Sequence, residues 1–437
     1  MTSESKASDL TRRGFIGLAG VAAASTLLAA CTPGGGSSSS SGGKPIKFWN
    51  MPWGAPTAFP KEDKAIVAAY KPKNNLPAVT YQQIQWANFT QTFSTAVAAN
   101  NGPAVSSGGG TQAFLFESQG KIAYADNLLD SWKKNGIYDD FLPGLVDTLK
   151  TKNGYAAVPY NLDMRIYWYN KDLLDKAGAT PPTDWTSFEA ACKALKKNGV
   201  YGYGTYSGAG AFTGGHTLVA HMINNGGGLF DENQNPNCVT PQNIEAMDWV
   251  LGLVKNGYVD PRSATYTSAN AYAQMNAGKF GMIWDGAGTP ANVNASIASN
   301  LVVGDPLNGP SGQKGALYFP NNIMMYKNTP SQKNSEAFLT YYYQNMKTLW
   351  TKKTGIGLPP LKSIVTAAYG SDQSAQKIVS QWQPISKTWG APGSNTVFLN
   401  VTKVDGTQPM ITFAQQILSG KTDAKSALTT LQNALKA

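Results

Sequence analysis

Hydrophobic and polar positions along the chain follow helical spacing in some segments and strand-like runs in others. A helix is predicted for TPQNIEAMDWVLGLVKNG, in which Thr240 is the cap and Gly257 marks the end. A second helix is predicted for TSFEAACKALKKNG, where Thr186 and Glu189 form a capping box. The final segment, TDAKSALTTLQNALKA, places its leucines on one helical face.

Short apolar runs separate the predicted helices and favour strands. In chain order they read KPIKFW, YAAVPY, KFGMIW, NLVVGD and NIMMYK. Strands and helices that alternate along a whole chain are typical of the α/β class. The chain has 437 residues, too many for one hydrophobic core, and it shows no internal repeat or long internal linker. We therefore expect an α/β protein of two lobes, between which the chain crosses several times.

The N-terminal segment has the pattern of an export signal followed by a tether. Arg12 and Arg13 precede an apolar run that is shorter than the roughly 20 residues of a membrane-spanning helix. The run TRRGFIG resembles a twin-arginine signal, and LAAC, ending at Cys31, resembles the lipobox of bacterial lipoproteins. We expect an export signal over residues 1–30 and a flexible Gly/Ser-rich tether over 31–43, behind a lipidated cysteine. A soluble secreted protein with a chance cysteine here is the alternative.

The composition suits a protein that binds a neutral polar ligand. The formal net charge is +10, but the lysines and arginines are scattered instead of clustered, which argues against nucleic-acid binding. Charged residues make up only 14%, whereas aromatic residues reach 11%. Many aromatic rings with few charges favour a surface that holds uncharged polar molecules.

The remaining cysteines and the histidines give no sign of a cofactor. Cys192 and Cys238 would face an oxidising compartment, where a disulfide and two buried thiols are equally open possibilities. His216 and His221 are five residues apart with no carboxylate near them, so we expect core or surface histidines instead of a metal site. The sequence also lacks phosphate-loop and nucleophile-elbow motifs. No metal and no cofactor are therefore expected.

Three acidic residues with aromatic neighbours are candidates for a catalytic pair. Glycoside hydrolysis needs two carboxylates facing each other across the sugar, and Glu117, Asp163 and Asp285 are possible members. Isolated carboxylates beside aromatic rings also accept hydrogen bonds from sugar hydroxyls without any chemistry. Spacing alone leaves both interpretations open, and the resemblance described next favours the non-catalytic one.

Three ordered stretches resemble one known family. The first, residues 156–188, contains AAVPYNLDMRIYWYNKDLL and a PPTDW turn into a helix; the second, 275–288, reads MNAGKFGMIWDGAG; the third spans 303–343. Together they resemble the family 1 extracellular solute-binding proteins of bacterial ABC importers, which include maltose- and cello-oligosaccharide-binding members. One stretch alone would be a weak signal, whereas the three in order are fairly specific.

The resemblance implies a two-lobed α/β fold of the type II periplasmic-binding-protein kind, with a ligand cleft between lobes that close about hinge segments. The expected lobes are residues 44–160 with 320–363, and 161–319 with 364–437. The resemblance also favours a non-enzymatic receptor. We expect it to be monomeric and, from the lipobox-like LAAC, lipid-anchored at the extracellular face of the cell membrane. Such a receptor captures a neutral di- or oligosaccharide and delivers it to the permease subunits of an importer with a cytoplasmic ATPase.

The resemblance also indicates where the ligand is held. Family members often place a ligand-contacting acid at the crossover, which is Asp163 here, and another contact at the strand tip of Asp285 and Gly286. Arg165 lies on the same side of an extended segment as Asp163, where it orients that acid, contacts ligand or pairs on the surface. Many members have a Trp just after the glycine. This chain has none there, and Trp284 is the candidate substitute, which leaves the ligand size open.

Other candidates are residues in loop-like, Gly-rich or Pro-rich surroundings. Sugar rings pack on aromatic planes, and sugar hydroxyls need planar donors and acceptors. For each aromatic candidate the alternative is core packing, and for each polar one it is turn chemistry. The aromatic candidates are Trp53, Phe116, Tyr206, Phe319 and Trp389, and the polar ones are Gln112, Asn321 and Asn322.

Two other functions stay open at this point. One is a surface-anchored secreted carbohydrate-active enzyme. The other is a receptor of the same fold for a charged solute, such as a polyamine, a sugar phosphate or an iron complex. Released monosaccharide would indicate the enzyme, and a response to putrescine or a sugar phosphate would indicate the charged-solute receptor.

Overall fold

The structure is a computed structural model, and it describes residues 44–86, 89–327 and 331–437. The expected export signal, the tether and Cys31 lie outside the described residues. In the part of the chain that is described, no helix is both long enough and apolar enough to cross a membrane.

Helices and strands alternate along the described chain, which confirms the α/β class. The strands are β1 (Ile46–Asn50), β2 (Val79–Gln83), β3 (Val105–Ser107), β4 (Ile122–Ala123), β5 (Lys150–Thr151), β6 (Gly154–Tyr155), β7 (Val158–Met164), β8 (Ile166–Asn170), β9 (Tyr201–Gly204), β10 (Phe280–Asp285), β11 (Leu301–Val303), β12 (Ala316–Tyr326) and β13 (Ser386–Lys387). The helices are α1 (Ala58–Ala68), α2 (Phe89–Ala98), α3 (Gln112–Ser118), α4 (Asp126–Asn135), α5 (Ile137–Asp140), α6 (Lys171–Ala177), α7 (Trp185–Lys197), α8 (Thr213–Asn224), α9 (Pro241–Lys255), α10 (Ser268–Asn276), α11 (Ala295–Ala298), α12 (Gln332–Asn345), α13 (Thr348–Thr351), α14 (Lys362–Tyr369), α15 (Gln373–Lys377), α16 (Gln408–Ser419) and α17 (Ala424–Lys436).

Two sheets organise the core. The larger sheet has the order β13-β12-β3-β1-β2, and β4 and β7 also pair with β12. Its strands β1, β2 and β3 are parallel, so their carboxyl ends meet at one edge of the sheet. The smaller sheet has the order β11-β8-β10-β9. Ligands of open α/β sheets bind outside the carboxyl ends of the strands, so a site is expected at such an edge.

The chain passes from the larger sheet to the smaller one over a single residue. β7 ends at Met164 and pairs with β12, whereas β8 begins at Ile166 and pairs with β10 and β11. Arg165 lies between them, and its backbone N–H donates to the carbonyl of Leu317 in β12 (2.9 Å). All 11 residues of β12 are buried. Side chains around Arg165 therefore lie where the two sheets meet.

The helix caps confirm one sequence prediction and correct another. Thr240 caps α9 with its side chain, and Gly257 follows the helix with a φ of +67°, as predicted. In α7 the cap is Asp184, not Thr186. The Asp184 carboxylate accepts from the N–H of Ser187, and Ser187 Oγ accepts in return from the N–H of Asp184. A carboxylate at a helix N-terminus also suits the helix dipole, so the cap lies two residues before the predicted one.

Cys192 and Cys238 are both buried free thiols, so they do not form the disulfide that the sequence left open. Burial raises the pKa of the Cys192 thiol, and it raises the pKa of the Cys238 thiol to about 12. His221 is a core residue, with its ring 4.7 Å from that of Trp284. Burial lowers the pKa of His221 to about 3, so this histidine stays neutral.

A buried polar cluster joins the end of β1 to α1, α12 and β3. The fully buried Asp63 carboxylate accepts from Asn50 Nδ2 (2.7 Å) and from the Tyr342 hydroxyl. Asn50 Nδ2 also donates to the Tyr160 hydroxyl (3.2 Å), and Asn50 Oδ1 accepts from Ser107 Oγ. Burial raises the pKa of Asp63 to about 6, although these hydrogen bonds act in the opposite direction. The cluster therefore fixes the carboxyl end of β1 to its neighbours.

Candidate functional site

The centre of the candidate site is an ion pair at the sheet crossing. Asp163 lies directly opposite Phe319 in the ladder between β7 and β12. Arg165 Nη1 lies 2.8 Å from Asp163 Oδ1, and the guanidinium stands over the Phe319 ring, 4.9 Å from its centroid. The Arg165 side chain is buried, whereas 41% of the Asp163 side chain is exposed. The guanidinium thus orients a carboxylate that solvent can reach.

The other side of the guanidinium contacts His216 on α8. His216 Nδ1 accepts from Arg165 Nε (3.2 Å) and lies 2.9 Å from Nη2. Burial and the adjacent guanidinium lower the pKa of His216, so its ring is neutral at neutral pH. The rings of Phe319 and Trp389 lie 4.7 and 5.4 Å from the imidazole. These contacts hold the guanidinium against an aromatic wall.

The smaller sheet contributes Asp285 at the end of β10. Its Oδ2 accepts from the hydroxyls of Tyr206 (3.1 Å) and Tyr272 (3.0 Å). Burial raises the pKa of Asp285, against the opposing effect of the nearby guanidinium. Gly286 follows, and a Cβ at this position would lie 3.3 Å from Asp163 Oδ1. The end of β10 therefore reaches the ion pair, and both sheets contribute to one site.

Amide side chains extend the site along β12. Asn321 Nδ2 donates to Asn161 Oδ1 (3.0 Å). Asn161 and Asp163 are two residues apart on β7, so their side chains point to the same face of the strand. Asn322 follows a register shift and donates to the carbonyl of Gly110 (2.9 Å). Within the described chain, several buried polar atoms of this region lack a protein hydrogen-bond partner, namely Gln112 Nε2 and Oε1, Asn161 Nδ2, Asn322 Oδ1 and Trp389 Nε1. Such atoms suit a ligand that is rich in hydroxyl groups.

Trp53 lies in the loop after β1, at the carboxyl edge of the larger sheet. Its indole N–H donates to Ser107 Oγ (2.9 Å), which in turn donates to Asn50 of the buried polar cluster. The Trp53 ring stands edge-on to that of Trp86, with 4.9 Å between centroids and 85° between planes. Since Trp86 follows β2, the ends of two neighbouring parallel strands each contribute an indole.

Two sequence candidates lie in the core, away from these side chains. Phe116 on α3 is fully buried, and its ring packs 5.6 Å from that of Tyr326. Trp284 precedes Asp285 on β10, so its side chain points to the opposite face of the strand, where it stacks on Tyr167 at 4.9 Å. In the structure both are packing residues, and neither presents a ring to the ion pair.

Sequence reasoning does not identify four residues that the structure brings to the site. They are Trp86, Asn161, His216 and Tyr272. The last two contact residues that are distant in the chain, and no local pattern indicates such contacts. Trp86 has a local signal, because it follows a strand-like run as Trp53 does. Asn161 lies two residues before Asp163 and has the signal of strand alternation.

Two surface grooves of the described chain are formed by residues other than those of the candidate site. They have volumes of about 370 and 560 Å³, and no residue of the candidate site lines either of them. No group of three or more potential metal ligands occurs within the described ranges. The ion pair and its surroundings are the candidate binding site, because they combine a partly exposed carboxylate with buried polar atoms that lack a protein partner.

A two-sheet α/β fold whose sheets meet at charged, aromatic and amide groups is typical of a binding protein for a polar solute. The chain belongs to the bacterial extracellular solute-binding protein family, whose model matches residues 54–347. The family resemblance stated from the sequence is thereby confirmed.

Known proteins share the fold over most of the chain. A sugar transporter protein from Arthrobacter chlorophenolicus A6, solved with bound laminaribiose, is 46% identical with a TM-score of 0.80, over 90% of this chain and 98% of that chain. The sugar-binding protein MalE from Xanthomonas citri is 19% identical with a TM-score of 0.73, over 90% and 98%, a likeness of fold alone. A putative binding protein of Brucella abortus is 22% identical over 289 residues, 63% of this chain and 67% of that protein. The chain therefore has the two-lobed α/β fold of these proteins and is an extracellular solute-binding protein.

Proposed function

We propose that the protein captures laminaribiose, a disaccharide of β-linked glucose, or a neutral oligosaccharide of that type, and closes around it. The observation that carries this proposal is the 46% identity, over 90% of the chain, to the Arthrobacter protein that was solved with laminaribiose. The chain's own site supports it, because it combines an oriented carboxylate, amides and aromatic rings.

The charges of the site favour a neutral ligand. Asp163 is compensated by Arg165 at 2.8 Å. His216 adds no charge, since burial and the guanidinium lower its pKa. A polyamine would need several uncompensated carboxylates, and a phosphate group would need an excess of cations. The site sets one guanidinium, Arg165, against the carboxyl groups of Asp163 and Asp285, so it has no excess of cations for a phosphate. The one carboxyl beyond the ion pair, Asp285, is buried and accepts from two tyrosine hydroxyls, which gives a polyamine few carboxylates to bind.

The groups of the site match the two surfaces of a sugar. The exposed Asp163 carboxylate accepts hydrogen bonds from hydroxyls, and a bond to a charged group contributes about 1.5–3 kcal/mol. The partly buried ring of Trp53 is available to pack on a C–H face, and an aromatic contact contributes about 0.5–1.5 kcal/mol beyond the area it buries. Phe319 and Trp389 are buried and support the guanidinium and the imidazole from behind. Asn161, with a free donor, suits a further hydroxyl.

We also propose that the ligand is bound without being cleaved. Glu117 accepts from Tyr124 (2.8 Å) and Asn153 (2.7 Å), which are not residues of the site. Asp163 and Asp285 then stand as the possible pair, and each has fixed partners that suit binding. The matched relatives named as binding proteins support the same conclusion.

The N-terminal pattern supports a location outside the cell membrane. We propose that residues 1–30 direct twin-arginine export and that a lipid on Cys31 holds the monomeric protein at the extracellular face. The permease subunits, driven by a cytoplasmic ATPase, then receive the sugar from the anchored receptor. The lobe boundaries expected from the resemblance stay predictions.

Isothermal titration calorimetry with laminaribiose, maltose, mannitol, putrescine and a glucose phosphate tests the proposal. Laminaribiose should bind, and prolonged incubation should release no glucose. Asp163→Asn should weaken laminaribiose binding by about tenfold or more, because it removes a charged acceptor. The control is Asp130→Asn, which alters an exposed ion pair with Lys133 and should leave binding unchanged. Preference for putrescine or the phosphate, or released glucose, would overturn the proposal.

A further inference from the structure

We infer that Trp86 forms an outer subsite, which holds a third sugar ring of a linear oligosaccharide beyond a disaccharide at the ion pair. This inference rests on the proposed function. Within the described chain, Trp86 and Leu399 are the two large apolar side chains classed as exposed, at 42% and 45%. An exposed indole beside a sugar site is a natural platform, because sugar rings present C–H faces that pack on aromatic planes.

Trp86 is held in place at the edge of the larger sheet. It follows the carboxyl end of β2, the edge strand beyond β1. Its ring lies edge-on to Trp53 at 4.9 Å and edge-on to Phe89 at 5.5 Å. Its indole N–H donates to the carbonyl of Pro52 (3.4 Å). We call Trp53, Trp86 and Phe89 the aromatic corner. Its contacts fix the indole of Trp86 while leaving much of that ring in solvent.

Two adjacent glycines connect the aromatic corner to the centre of the site. A Cβ on Gly109 would lie 3.2 Å from the Phe89 ring. A Cβ on Gly110 would lie 3.4 Å from Asn321 Oδ1, and the Gly110 carbonyl accepts from Asn322. Consecutive Cα atoms are about 3.8 Å apart, so one short stretch of backbone touches both regions. Without side chains, this stretch lets the aromatic corner lie close to the amide side chains of β12, so the two regions are neighbours on one edge of the larger sheet.

The inference predicts a dependence on ligand length. A disaccharide centred on Asp163 and Trp53 does not need Trp86, whereas a third ring gains one more aromatic contact. In wild type, laminaritriose should therefore bind more tightly than laminaribiose, by about two- to tenfold for a contact of this kind. Removing the indole should abolish that gain, and it should weaken laminaribiose binding less than laminaritriose binding, because Trp86 contacts the shorter sugar only through its edge contact with Trp53.

Calorimetry with both sugars on wild type, Trp86→Ala and Trp86→Phe tests the inference, with Leu399→Ala as the control for loss of an exposed apolar side chain. Trp86→Ala should lose the preference for laminaritriose, Trp86→Phe should keep part of it, and the control should keep all of it. Thermal unfolding should show that all three variants stay folded, since both positions are exposed.

The outcomes separate this inference from the proposed function. If wild type binds laminaribiose but shows no preference for laminaritriose, the outer subsite is wrong and the proposed function stands. If Trp86→Ala weakens both sugars equally, Trp86 supports Trp53 instead, and the inference is again wrong. If wild type binds neither sugar, the proposed ligand class fails, and the subsite fails with it.

Discussion

Ser106 and Ser107, adjacent on β3, support different parts of the molecule. Both are fully buried, and alternation along the strand points them to opposite faces. Ser107 Oγ accepts from the Trp53 indole, while Ser106 Oγ lies 3.0 Å from the Tyr326 hydroxyl in the core. The two serines are therefore a matched pair for separating affinity from stability.

Ser107→Ala should weaken laminaribiose binding several-fold and lower the free energy of unfolding by about 1–3 kcal/mol, because the Trp53 and Asn50 side chains lose a buried partner. Ser106→Ala should cost a similar amount of stability and leave the affinity nearly unchanged. Calorimetry and urea unfolding of both variants measure the two effects. Equal losses of affinity would show that Ser107 has no special part in positioning Trp53.

The buried Asp63 carboxyl should make stability depend on pH. Burial raises its pKa to about 6 from an ordinary 3.8, so between these values the folded state keeps a proton that the unfolded state releases. The contribution of Asp63 to the free energy of unfolding is therefore most favourable below about pH 4. It decreases by about 3 kcal/mol as the pH rises to about 6. Urea unfolding should show the stability of wild type falling relative to Asp63→Asn over this range. A constant difference between the two proteins would contradict the prediction.

Among the elements, the local pattern indicates the three helices and the five strand-like runs named from the sequence, because capping and alternation involve near neighbours. The pairing of β7 with β12 is different: it joins Asp163 to Phe319 across more than a hundred residues, and no local signal encodes that register. For the same reason the pair Asp163 and Arg165 is readable from the sequence, whereas the contact of Arg165 with His216 is not. Trp284 shows a further limit of sequence-based prediction. The sequence places it next to Asp285 but does not show whether its ring lies on the site face or the core face of β10.

The cap of α7 offers a direct comparison of the predicted and observed residues. Asp184→Ala should lower the free energy of unfolding by about 1 kcal/mol, because the N–H of Ser187 loses its acceptor. Thr186→Ala, at the position that the sequence pattern favoured, should change stability very little, since Thr186 is exposed and already within the helix. Urea unfolding of the two variants decides between them. A larger loss for Thr186→Ala would restore the original assignment.

At the scale of the whole molecule, the site joins two sheets through a short crossing. Asp163 belongs to the larger sheet and Asp285 to the smaller one, with Arg165 between β7 and β8. A ligand held between the exposed Asp163 carboxylate and the end of β10 gains contacts when the two sheets approach each other. Binding and closure are therefore expected to be one event.

Small-angle X-ray scattering should show a smaller radius of gyration at saturating laminaribiose than without sugar. Asp163→Asn should show the same decrease at a higher sugar concentration, because the variant binds more weakly and not because it closes differently. A radius that stays constant at saturation would contradict coupled closure.

The burial of Cys192 and Cys238 has a practical consequence for measurement. Thiol reagents attack the thiolate, and burial keeps both of these thiols protonated and out of reach. In a soluble form with Cys31 replaced, a cysteine introduced beside the aromatic corner would be the single accessible target among the described residues. A fluorescent dye attached to that cysteine would report sugar binding through a change in its emission. Because the two native thiols are buried and do not react with the dye, the protein is suited to use as an optical saccharide sensor.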